Sequence, residues 1–478
     1  MRFGAIPYDR AQIRPGIVHL GLGGFHRAHM ARYTHDLMVA DEAGLDWGIV
    51  GAGLRAADRP LLDTLRAQGG LYTLIERDGA GETATCIGAI VRVIDASAST
   101  TALLDAIGDP AIRIVSLTVT EHGYCLDRAT RRLDPGHPLI VHDLATPAAP
   151  HSAIGVLVEA FARRKASGLP AFTALSCDNI QRNGDVLRAA VLAFAGIRDP
   201  ALAIWIAERS AFPNAMVDRI TPVPTPDMVG EVQSRLGIDD GAPLMAEPFR
   251  QWVIEDRFAA GRPDWDRAGA QFVAHVTPYE TMKLRLLNAS HLAVAGLGAL
   301  AGHVSIAEAI GDPLIRRHMI ALMARETGPM LDPVPGINLP AYQRALVERF
   351  ANPAIPDTVA RVNADAPLNY LLDPIRDRLA ANAPLPLLAL ALAAWLRRAR
   401  GEDETGRPLA VHHPLAGTMR EAALRGAADP GPLLSIGPLF GDLGQDSRLH
   451  DAVAPWLAAL YDKGVAATLD GAARQGLL

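Results

Sequence analysis

At 478 residues the chain is longer than one hydrophobic core usually supports, so the sequence predicts two domains. Its 49% apolar and 21% charged residues are the composition of an ordinary globular protein. A formal net charge of −6 gives no electrostatic basis for nucleic acid or an anionic membrane as partner. Residues 1–15 carry Arg2, Asp9, Arg10 and Arg14 without a continuous apolar run, so they do not read as a signal peptide. Cys86, Cys125 and Cys177 are isolated and odd in number, which suggests no disulfide framework and fits reduced thiols in a soluble cytoplasmic protein.

In chain order, the apolar run 16–20 meets a glycine cluster, Gly21, Gly23 and Gly24, and residues 25–40 then lack Pro and Gly. That pattern predicts strand, tight turn and helix. Further strands are expected at 46–53, 112–120 and 171–177, with helices at 153–165 and 184–194. Strands alternating with helices argue for βαβ units and a parallel sheet. Beyond about residue 275 the texture changes to Ala/Leu-rich segments at helical spacing, at 283–300, 313–326, 339–350 and 386–400. The most apolar stretch, 384–395, falls well short of the ~20 residues a membrane helix needs and reads as a buried helix. The predicted fold is α/β, with a Rossmann-type domain over 1–275 and a mostly α-helical domain over 276–478.

The turn from Gly21 to Arg27 sits where a strand feeds a helix, a place where a pyrophosphate can rest on backbone N–H groups. His26 stands where the G-x-G-x-x-G fingerprint has its third glycine, so the pattern alone is incomplete. A carboxylate past the second strand selects NAD by accepting hydrogen bonds from the ribose. Asp58 is the candidate, and its other reading is a helix N-cap before Arg59-Pro60.

Pro278 suits the start of a helix carrying Glu280, Lys283, Asn288 and His291. At about 100° per residue, Lys283 lies roughly 80° and Asn288 roughly 60° from His291 around that helix. A lysine serves as a base only when burial or a cationic neighbour draws its pKa toward neutrality, and Leu284, Leu286 and Leu287 provide apolar company. The alternative is an exposed Glu280–Lys283 pair on an ordinary surface helix.

Five segments together carry a resemblance: GLGGFHRAH (21–29), SLTVTEHGYC (116–125), SCDNIQRNG (176–184), FPNAMVDRITP (212–222) and the array Lys283, Asn288, His291. With them the chain resembles the polyol-specific long-chain dehydrogenase/reductase family, typified by mannitol 2-dehydrogenase, from about residue 16 to the C-terminus. The resemblance implies hydride transfer between NAD(H) and a polyol/ketose pair of the mannitol, sorbitol or arabinitol kind, in a cleft between the two domains. It implies Lys283 as general base, Asn179 and Asn288 as donors to the reacting oxygen, His291 against the substrate and Glu280 accompanying proton transfer. Asp218 and Arg361 fall on substrate-side positions. Gly21, Gly23, Gly24, Phe25, Arg27, Thr120 and Glu121 fall on the cofactor side with Asp58. No Cys/His set has zinc-site spacing, so a metal-independent enzyme is expected, acting as a monomer or small homo-oligomer.

Two positions depart from the family. Ala57 precedes Asp58 where relatives have a second carboxylate, which leaves room for NADP. Asn369 stands where mannitol dehydrogenases have a lysine, which weakens the case for mannitol itself. A hexuronate (fructuronate or tagaturonate) reductase of the same family would need a cationic clamp for its substrate carboxylate. A non-catalytic NAD-binding sensor is the remaining reading, and the intact Lys283 array argues against it.

Overall fold

The computed structural model describes residues 5–127, 130–225 and 227–478. It divides into two compact units, the first ending at Thr277 and the second beginning at Pro278. Among the described residues the strands are β1 (Pro15–Leu20), β2 (Gly48–Gly53), β3 (Tyr72–Arg77), β4 (Glu82–Ile87), β5 (Ile90–Asp95), β6 (Ile114–Leu117), β7 (Thr173–Ser176), β8 (Ala215–Asp218), β9 (Leu244–Ala246), β10 (Gln251–Glu255) and β11 (Gln271–Val273).

Five of them form a parallel sheet in the order β5-β2-β1-β6-β7. β1 occupies the middle, and the chain builds outward from it to β2 and β5 on one side and to β6 and β7 on the other. This is the Rossmann arrangement. Each face is covered: Val18, Leu20, Val50, Val115 and Leu117 enter one core, and Ile17, Ile49, Ile114 and Leu175 enter the other. Burial on both faces is why these strands read as continuous apolar runs. Two three-stranded sheets, β4-β3-β9 and β11-β10-β8, complete the first unit.

Three of the four expected strands are shorter than the sequence pattern suggests, and β1 begins one residue earlier, at Pro15. Residues 42–47 form a 3₁₀ turn, so β2 starts at Gly48, and β6 stops at Leu117 instead of running to Thr120. The helix expected over 25–40 is two helices, Gly24–Ala28 and Met30–Ala40, broken at His29 (φ −115°, ψ −90°). β5 was not expected. Its buried and half-exposed residues mix irregularly, as suits the sheet edge.

The second unit is helical throughout its long segments. Its centre is the helix Pro386–Arg398, in which every residue from Leu387 to Arg398 is buried. A helix apolar on all sides must be surrounded by protein, and this one packs against the helices Ala289–Leu300 and Ser447–Arg474. No helix among the described residues is long and apolar enough to cross a membrane.

The N-terminus of that central helix has no side-chain cap of its own. Glu326 supplies one from elsewhere in the unit, accepting the N–H groups of Leu387 and Leu388 at 2.8 Å each. Burial pushes the Glu326 carboxyl up to about 7, against the pull of those two donors and of Arg378. A carboxyl raised in the folded state favours folding below its ordinary value near 4.5 and loses that contribution as pH rises toward 7. Glu326→Gln should therefore flatten the fall in stability between pH 5 and 8. Glu326→Ala should cost about 1–3 kcal/mol by leaving two buried N–H groups unpaired. Denaturant unfolding of both variants across that pH range checks the prediction.

Candidate active site

β1 and β6 end level with one another, Leu20 beside Leu117. Beyond them Gly21 adopts φ +99°, and a Cβ there would collide with the Thr118 carbonyl oxygen. Thr118 closes the contact by donating its hydroxyl to the Gly21 carbonyl at 2.8 Å. Gly23 faces open space, so the backbone at the mouth of the turn is bare. This crevice at the carboxyl ends of the two central strands is where open α/β sheets take their ligands.

His26 resolves the incomplete fingerprint. Its ring stacks on that of His19 at 3.5 Å between centroids, both fully enclosed. The His19 ring in turn lies 2.8 Å from Ser116 Oγ and 3.0 Å from both Thr118 Oγ1 and the Gly21 carbonyl. Burial pushes His19 down to about 3 and His26 well below its ordinary value, so both are neutral and pack like aromatic residues. Helix-to-strand packing, for which the fingerprint uses a glycine, is here achieved by a ring pair.

Phe25 lies at the half-buried start of the first helix. Arg27 does not reach the crevice as the sequence reading expected. The helix phase turns it inward, where it donates to the Ala242 carbonyl at 2.6 Å and lies over the Tyr72 ring. Asp58 does not cap the following helix. Both of its oxygens bind Arg55, at 2.6 and 3.2 Å. Arg59 is held by Asp95, the last residue of β5, at 2.9 Å. Gly53, at the end of β2, pairs with Asp95 and abuts Asp58, so two carboxylates flank that strand end. Asp95 was not singled out from the sequence. Thr120 and Glu121 are exposed just past β6, Asn179 is exposed just past β7, and Asp218 is buried as the last residue of β8.

From Thr277, the last residue of the first unit, to Leu300 the chain is one continuous helical run, but its middle, Lys283–Asn288, is a π-helix. A π turn inserts a residue, so a uniform 100° step does not hold between Lys283 and His291. Such insertions occur frequently at functional sites. Glu280 and Lys283 are both buried, which rules out an exposed surface pair. The Asn288 Oδ1 atom is buried without a hydrogen-bond partner among the described residues.

Asp357 is the residue that sequence reasoning missed here. It is buried, and its Oδ2 lies 3.1 Å from His291 Nε2. Its Oδ1 accepts from Arg361 at 3.0 Å and 2.5 Å. Burial alone would raise the Asp357 carboxyl, but His291 and Arg361 outweigh it and hold the group low. Phe350 packs on the His291 ring at 4.5 Å. One carboxylate thus joins two residues the sequence had treated separately, and only the chain's folding brings them together. Asp365 also lies 3.6 Å from Arg361. Asn369 is exposed at the start of its own helix. Among the described residues no three His, Cys, Asp or Glu side chains form a metal-ligating cluster.

The first unit thus belongs to the class of Rossmann-type dinucleotide-binding domains, joined to a helical unit that carries a buried Lys283 with the half-buried Asn288 and His291 after it. The chain belongs to the mannitol dehydrogenase family: residues 15–267 match its Rossmann domain and residues 275–461 its C-terminal domain. It is 42% identical over 465 residues to an Escherichia coli D-mannonate oxidoreductase, covering 96% of this chain and 95% of that protein. It is 41% identical over 465 residues to mannitol 2-dehydrogenase of Cereibacter sphaeroides, covering 97% of each. Among solved structures, the Pseudomonas fluorescens mannitol 2-dehydrogenase ternary complex with NAD and D-mannitol is 41% identical, with a TM-score of 0.87 and coverage of 98% of this chain and 96% of that one.

Removing the shared carboxylate tests the Asp357 junction. Asp357→Ala should lower the unfolding free energy by roughly 1–3 kcal/mol, less than for a fully enclosed pair because Arg361 is half-exposed. Urea denaturation measures it, and a loss below about 0.5 kcal/mol would put the junction in the class of ordinary surface pairs.

Proposed function

We propose that this protein is an NAD-dependent dehydrogenase interconverting a polyol and a ketose, with Lys283 as general base. The observation that carries the reading is a buried lysine at the head of a π turn whose other end presents Asn288, with His291 close behind. A lysine exists at such a position at a cost in desolvation, which argues for a chemical task.

The crevice fits a dinucleotide. Gly21, Gly23, Gly24 and Phe25 would line the pyrophosphate, Asp58 would take the adenosine ribose, and Thr120 and Glu121 would flank the remainder. Bound NAD would supply the hydride acceptor. Lys283 takes the hydroxyl proton as the carbinol becomes a carbonyl, and Glu280 accompanies that transfer. Asn288 and Asn179 donate to the oxygen that gains negative character, the work a metal does in other alcohol dehydrogenases. His291, its Nε2 facing Asp357, is held in one orientation toward substrate hydroxyls, and Asp218 and Asn369 complete the substrate side. Action in the cytoplasm, as a monomer or small homo-oligomer, belongs to the same reading. Three free, buried cysteines agree with a reducing compartment.

The D-mannonate oxidoreductase relative keeps a hexuronate reductase in view. Arg361 argues for the polyol: its guanidinium is taken up by Asp357 and approached by Asp365, a poor arrangement for clamping a substrate carboxylate. NADH and NADPH absorbance with mannitol, sorbitol, arabinitol, fructose, fructuronate and tagaturonate separates the two. Turnover of the uronates alone would overturn the polyol assignment.

Lys283→Ala should lower the turnover of polyol oxidation by at least ~10²–10⁴-fold. NADH affinity should stay near that of the unaltered protein, and the rise of the wild-type rate with pH should disappear. A variant within tenfold of wild type, with chemistry limiting, would remove Lys283 from the role of base.

Cofactor choice gives a second test. Asp58 holds Arg55, so Asp58→Asn removes a charge that repels a 2′-phosphate and frees a guanidinium to bind one. The ratio of catalytic efficiencies should move toward NADP by ~10-fold or more, about 1.4 kcal/mol of differential transition-state binding. An unchanged ratio would place ribose recognition elsewhere.

A further inference from the structure

Thr120 lies immediately beyond β6 with φ 62° and ψ 170°. That region of backbone space is essentially reserved for glycine, and another residue stays there only when its surroundings hold it. The holder is identifiable. Asp178, two residues past β7 and 5% exposed, accepts the Thr120 N–H at Oδ1 (2.8 Å) and the Val119 N–H at Oδ2 (3.3 Å). Its Oδ2 also accepts the hydroxyl of Tyr124 at 2.7 Å. Tyr124 is fully buried and lies 2.6 Å from Ser176 Oγ, on the last residue of β7. The carbonyl of Asp178 is fixed in turn by the Asn183 side-chain amide at 3.0 Å.

The held segment has a defined location. Thr118, at its start, is bonded to Gly21 of the glycine turn, so residues 118–120 run between that turn on one side and Asp178 on the other. Asp178 therefore sets the wall of the crevice opposite the glycines. Burial raises the Asp178 carboxyl from its ordinary value, while Tyr124, Thr120 and Val119 pull it down.

We infer that Asp178 is a positioning residue for the dinucleotide: through Thr120 and Val119 it holds the β6 loop in a high-energy conformation that shapes the crevice. It touches neither cofactor nor substrate in this role. The inference rests on the proposed use of NAD, and its test needs no polyol turnover.

The experiment is NADH binding by fluorescence titration on the full chain, for Asp178→Asn in the wild-type and in the Thr120→Gly background. An asparagine of the same shape cannot accept all three donors, because one of its two oxygens becomes an N–H₂ group. NADH affinity should fall about tenfold in the wild-type background. Glycine at 120 adopts the same φ and ψ without strain, so there the same substitution should cost less than about threefold. Equal losses in both backgrounds, with circular dichroism unchanged, would overturn the inference, because a general structural role predicts equality. Undiminished affinity in Asp178→Asn would overturn it as well. If Asp178→Asn does not fold, Tyr124→Phe removes one donor and keeps the ring. It should weaken NADH in the same direction by about two- to fivefold, and no weakening would count against the assignment. Failure of the unsubstituted protein to bind NADH would instead overturn the proposed function, and with it the premise of this one.

Discussion

The end of β1 beside the end of β6 is the constraint around which the first unit is organised. Leu20 and Leu117 are paired, and the chain leaves one toward β2 and the other toward β7. The two exits diverge because the sheet grows in opposite directions from its middle, and the space between them is a property of topology before it is one of side chains. Side chains then decide its size. Gly21 brings the turn against Thr118, the His19–His26 stack props the first helix, and the Asp178 carboxylate draws the β6 loop toward β7.

The helical unit is built on a different economy of polar groups. Its central helix is enclosed, yet its N-terminal donors must be satisfied, and Glu326 does so from the π-helical segment Met323–Thr327. The same problem recurs at His291, whose ring is packed by Phe350 and oriented by Asp357. At these two places, the N-terminal donors of the central helix and the His291 ring, the buried polar group is met by one carboxylate from a distant stretch of chain. Single carboxylates that satisfy two groups at once hold elements together more specifically than apolar contact does, since the geometry admits few alternatives.

Much of this was legible beforehand. The alternation of apolar runs with helical segments placed four of the five parallel strands, and the Ala/Leu-rich texture after residue 275 marked the helical unit. The array of Lys283, Asn288 and His291 came from the resemblance, since its spacing alone left an exposed Glu280–Lys283 pair open. What stayed hidden depends on contacts between distant residues. Nothing local in the segment 25–40 announces a break at His29, and the inward turn of Arg27 follows from helix phase. The partners of that pair, Gln251 and Ala242, lie more than two hundred residues away. Asp357 lies sixty-six positions after His291, and no periodicity joins them. A strained Thr120 cannot be read from composition, because threonine is unremarkable until its φ is known.

The π turn at Lys283–Asn288 has a consequence of its own kind. The angle between Lys283 and His291 about the helix axis is set by an inserted residue, so it is written in the count of residues and not in their identities. Such an offset tolerates substitution well, since any helix-forming side chain preserves the count. A one-residue deletion that restored regular winding would keep the residues after the turn near their present angle to Lys283, because the wider turn is what absorbs the extra residue; the groups within the turn, ending at Asn288, are the ones it would displace. The extra residue therefore decides what the stretch Lys283–Asn288 presents, and leaves the course of the helix beyond it as regular winding would have it.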